Sequence, residues 1–125
     1  MSPRDIKVIA NSIRAYNKQA NLPDIKSIEA KLDNGELDPR NLKKGDVVTL
    51  KLENGKEFKV TIEKDGEFSC KVRGRDDSVR IFVGKNHKGV DCICFRHHYK
   101  KTESNFYVTM SRNIPIEKYD KMIKK

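Results

Sequence analysis

The chain has no tryptophan among its 125 residues and three cysteines, Cys70, Cys92 and Cys94. An odd cysteine count, with no secretory leader before it, argues against a disulfide scaffold. It points instead to reduced thiols and a cytoplasmic setting. The N-terminal MSPRDIKVIA lacks the apolar segment of a signal peptide. No apolar run approaches the ~20 residues that span a bilayer, so no membrane partner is expected. Repeats and low-complexity tracts are missing too, which excludes solenoid, collagen-like and linker-dominated chains.

Acidic residues are in the minority. Twenty-seven Lys and Arg face 18 Asp and Glu, for a net charge of +9. A charge of that sign and size most often answers a polyanion such as nucleic acid, a nucleotide or an acidic surface. Hydrophobic and charged residues each make up 36% of the chain. That supplies one modest core. A helical appendage would have to pack on it, or on a second subunit.

The pattern divides the chain near residue 45. In residues 1–45 the apolar spacing is helical. Ser2-Pro3 suits a helix start, and Ile6, Ile9, Ala10, Ile13 and Tyr16 form one stripe. A second short helix is expected from Pro23 to about Asp33, with Ile25, Ile28 and Leu32 as its stripe and Asn34-Gly35 as its stop. Asp38-Pro39 suits one further helical turn. This N-terminal segment is expected to pack on the rest or to mediate homo-oligomer formation.

In residues 46–125 the period changes to two. Asn54-Gly55 and Asp65-Gly66 are hairpin turns between alternating strands. Five or six strands in an antiparallel meander follow, with a loop at GKNHKG (84–89) and another opening at His97-His98. A short basic C-terminal helix after Pro115, with frayed ends, completes an α+β chain. The segment LKKGDVVTLKLENGKEFKV resembles the first hairpin of SH3-like and Sm-like small barrels. That resemblance implies a small barrel or a strongly bent sheet and nothing about function.

Strand alternation assigns faces. Phe68, Cys70, Val72, Val79, Ile81, Val83, Val90, Cys92, Cys94, Phe106, Val108 and Met110 are expected inside. The outer face of the first three strands is cationic, with Lys51, Lys59, Lys71 and Arg73. On the last three strands Arg80, Phe82, Ile93, Phe95 and Tyr107 are expected outside. So many bulky residues require a cover, whether helices, a subunit or a ligand ring. Arg80, Phe82, Phe95, Arg96, Tyr107 and Arg112 are therefore candidate stacking and phosphate-binding residues.

Catalytic and metal chemistry have weaker sequence support. Cys92, Cys94, His97 and His98 lack the spacing of structural zinc sites. GKNHKG lacks the P-loop pattern. No cofactor or metal is expected, and His97 and His98 are read as non-catalytic. The leading expectation is non-enzymatic binding of nucleic acid or of a nucleoprotein complex, as an accessory protein of a phage or mobile element. One alternative is capture of a small cyclic nucleotide between subunits. The layout of N-terminal helices before a β core looks like that of phage sponge proteins. A second alternative is a small RNase toxin using the histidine pair.

Overall fold

The computed structural model describes residues 21–74, 76–100 and 106–124. The expected first helix lies outside the described residues, so its packing and its part in oligomer formation do too. The second helix is present as α1 (Ile25–Asp33). Asp24 caps it, its side chain accepting from the Lys26 N–H at 3.3 Å. Ile28 and Leu32 are fully buried in the core of the same chain. A 3₁₀ turn (Pro39–Asn41) follows, capped by Asp38.

Six strands follow: β1 (Val47–Lys51), β2 (Glu57–Thr61), β3 (Glu67–Lys71), β4 (Ser78–Lys85), β5 (Asp91–Lys100) and β6 (Tyr107–Pro115). All pairings are antiparallel. They form a two-stranded sheet, β1-β2, and a four-stranded sheet, β3-β4-β5-β6. Between β2 and β3 one isolated bridge, Lys64 with Glu67, closes the turn, and the two strands belong to different sheets. The sheets therefore stay open and do not close into the small barrel suggested by the first hairpin. Both feed one core, with Leu50 and Val60 from the small sheet, Ile62 just after it, and Phe68, Ile81 and Phe95 from the large one.

The register corrects the expected faces of β5. Ile81 lies opposite Phe95 and Val83 opposite Ile93. Ile93 and Phe95 are thus buried in the core, while Cys92 and Cys94 lie on the other side of the sheet with Phe82 and Arg80. Cys92 to Phe95 is a run of four apolar residues, so alternation cannot fix its parity. The two larger side chains take the core. β5 also continues through His97-His98, which are strand residues and not loop residues. The β5–β6 ladder outruns the core beneath it. Val83, Val90, Phe106 and Met110, all expected inside, are exposed.

The C-terminal helix α2 (Ile116–Ile123) is anchored by its fully buried Tyr119, not loose. The Tyr119 hydroxyl donates to the Leu32 carbonyl at 2.6 Å. Arg40 ties the neighbouring pieces together. Its Nη2 donates to Asp38 and to Asp120, each at 2.7 Å, and its guanidinium lies 5.7 Å from the Tyr119 ring centroid. These two carboxylates hold the Arg40 pKa above its ordinary value, and Arg40 in turn lowers that of Asp120. Among the described residues, no helix is long and apolar enough to cross a membrane.

Burial, reinforced by Asp38, pushes the Tyr119 hydroxyl from 10.0 up to about 12. Burial alone pushes the Cys70 thiol from 9.0 to about 12. Both groups fold in their neutral forms. Their contributions are complete below the unfolded pKa values and are lost as pH rises through the folded ones. Stability should fall progressively between pH 9 and 12. Tyr119→Phe should cost about 1 kcal/mol at neutral pH for the lost hydrogen bond. It should also flatten the alkaline fall above pH 10. Denaturant melts across this range check both, and an alkaline fall identical to wild type would refute the assignment to Tyr119.

Candidate nucleic-acid interface

The pleat of the large sheet sends alternate residues away from the core. Arg80 and Phe82 of β4 lie beside Arg96 and Cys94 of β5 on this outer face, since Arg80 pairs with Arg96 and Phe82 with Cys94. Phe82 is half-buried. Two guanidinium groups lie over its ring, Arg80 at 4.3 Å and Arg96 at 5.4 Å from the centroid. Such contacts hold a cation against the negative face of the ring. Gly84 makes room for the ring. A Cβ there would stand 3.1 Å from Phe82 Cε2 and 3.2 Å from Cys94 Sγ.

The two arginines are held differently. Arg96 is fixed by the protein's own acceptors. Its Nη1 donates to the Phe95 carbonyl and to Asn113 Oδ1, both at 2.9 Å. Arg80 is more exposed and donates through Nε to Glu67 Oε1 at 2.7 Å. Glu67 therefore occupies the guanidinium edge that a phosphate would use.

A cleft of about 690 Å³ opens where β2 and β3 part. Lys59, Lys64 and Lys71 line it, with Thr61, Ser69 and Cys70. Among the described residues none of these lysines takes part in an ion pair. Ser69 on β3 lies directly opposite Arg80 on β4. The cleft and the Phe82 platform are thus neighbours on one track across the sheet, in which Glu63 and Glu67 stand among the lysines of the cleft.

Five of the sequence-predicted residues share this track: Lys59, Lys71, Arg80, Phe82 and Arg96. The others are elsewhere. Phe95 is core. Arg112 reaches Asp33 of α1 at 3.2 Å, and Arg73 reaches Glu53 at 3.1 Å. Lys51 lies on β1 opposite Glu57. Tyr107 is on the outer face but at its far end, stacked on His98 with centroids 4.7 Å apart. The sequence pattern gave no mark to Lys64, just before the Asp65-Gly66 turn, or to Glu67, whose place beside Arg80 follows from its cross-strand pairing with Phe82.

Adjacent on β5, His97 and His98 point to opposite faces. His97 Nε2 lies 3.3 Å from Asp77 Oδ2, and His98 Nδ1 lies 3.0 Å from Thr109 Oγ1. Among the described residues no three metal-binding side chains come together.

Gly84→Ala should push the Phe82 ring off its seat, cost about 1 kcal/mol and loosen both arginine–ring contacts. The ring-proton shifts of Phe82 and a thermal melt report these effects. An unmoved ring at wild-type stability would mean that Gly84 does not set its position. No protein-family model, curated protein or solved structure matches this chain.

Proposed function

We propose that the chain binds single-stranded nucleic acid on the outer face of the four-stranded sheet, without turning it over. The observation that carries this reading is the Phe82 ring with the Arg80 and Arg96 guanidinium groups over it, beside a cleft that Lys59, Lys64 and Lys71 line with Glu63 and Glu67. Unpaired bases stack on aromatic rings and on guanidinium planes, and lysines follow the backbone between them. A duplex offers no free base faces to such a platform. Binding without turnover fits the histidines. General acid–base cleavage wants two groups at one phosphate, and these two lie on opposite faces.

A second reading takes the same platform as a site for one small nucleotide. It is favoured by the convergence of two arginines on a single ring. The two readings differ in their salt dependence. Five cations, Lys59, Lys64, Lys71, Arg80 and Arg96, meeting phosphates of a single strand give a log–log salt slope of roughly −3 to −4. A small nucleotide meets fewer of them and gives a shallower slope. The absorbance spectrum of the purified protein is a direct check, because four Tyr and no Trp leave a co-purifying nucleotide dominant.

In fluorescence anisotropy with a labelled oligothymidine, Phe82→Ala should weaken binding by about 1–3 kcal/mol. Arg80→Ala and Arg96→Ala should weaken it as well, and Lys51→Ala should not. Glu67→Gln should tighten it, because it frees the Arg80 edge and removes a repelling carboxylate. Wild-type affinity in both arginine variants would remove the platform from the account. Loss in the arginine variants with a shallow slope and silent lysines would select the small nucleotide.

A further inference from the structure

β6 is the outermost strand of the large sheet and, among the described residues, pairs only with β5. Alternate residues of a terminal strand turn their N–H and C=O groups outward, ready to pair with another strand. Sheet edges are usually guarded by lysines, an internal proline, a bulge or a short length. β6 runs for nine residues, Tyr107–Pro115, with its proline at the very end and no lysine. Its single charge is Arg112, which is held by Asp33 of α1. Tyr107 and Met110 in its first half are 48% and 57% exposed.

Charge separates this edge from the rest of the surface. Residues 104–111, SNFYVTMS, are the longest stretch of the sequence without a charged residue. In a chain of net charge +9, two copies can approach here with the least repulsion. Antiparallel pairing of a strand with its own copy is also self-complementary. One two-fold axis normal to the sheet satisfies both edges and leaves no new one of the same kind.

We infer that the β6 edge is a dimer interface, at which two copies pair β6 with β6 into one eight-stranded antiparallel sheet. Met110 and Tyr107 are covered in the pairing. Because the axis is normal to the sheet, the two outer faces lie on the same side. The dimer does not depend on the ligand reading, though it would set two Phe82 platforms on one surface. It uses a different element from the N-terminal helices first expected to join subunits. α1 spends its apolar stripe inside its own chain.

Sedimentation equilibrium of the full chain tests this. The expected result is the mass of two chains at high concentration, falling to one on dilution. Met110→Lys places a charge on the edge and should give one chain at every concentration, with unchanged far-ultraviolet circular dichroism. Single cysteines introduced at Val108, Thr109, Met110 and Ser111 locate the axis. Under mild oxidation one position, or two adjacent ones, should cross-link two chains, and the buried Cys92 and Cys94 should not. A wild-type mass of one chain throughout would overturn the inference. So would a dimer that survives Met110→Lys and cross-links at none of the four positions.

Discussion

Ile81 and Phe95 face each other across β4 and β5, and both are almost completely buried. Their contact decides which side of the four-stranded sheet looks inward. A slip of one residue would exchange every side chain between faces. With this pair inside, the pleat has to place Arg80, Phe82 and Arg96 outside and side by side. The candidate site is thus a consequence of core packing. Its members need no loop to hold them, which suits a platform whose geometry must be kept in the free protein.

The electrostatics of that face are more restrained than the net charge suggests. Arg80 is satisfied by Glu67, and one Nη of Arg96 is used by the Phe95 carbonyl and Asn113. The lysines of the neighbouring cleft are the freer cations. On the proposed reading, a phosphate arriving at Arg80 would have to displace a carboxylate, so attraction would come from the cleft lysines and a fixed stacking position from the ring.

Much of the fold was legible. Asn54-Gly55 marked its hairpin and Asp38-Pro39 its helical turn. Asp65-Gly66 marked a turn but not the expected hairpin, since the strands on either side of it belong to different sheets. The candidate site was half legible. Arg80 and Phe82 were placed on the right face because Val79 and Ile81 alternate cleanly with them. Phe95 was misplaced because Cys92 to Phe95 carries no polar residue to mark parity. The cleft was invisible, since it arises where β2 and β3 fail to pair, and local pattern carries no record of a missing ladder. The anchoring of α2 was hidden for a similar reason. It rests on long-range contacts of Tyr119 with Leu32 and of Asp120 with Arg40.

The most direct test of the central claim is an NMR titration with an oligothymidine, following the five phenylalanine rings and the arginine Nε–H signals together. The account predicts upfield ring-current shifts at Phe82 and movement of Arg80 and Arg96 Nε–H. Phe68 and Phe95, sealed in the core, should stay still. Shifts centred on Phe106 with Phe82 unmoved would place the ligand elsewhere and contradict the account.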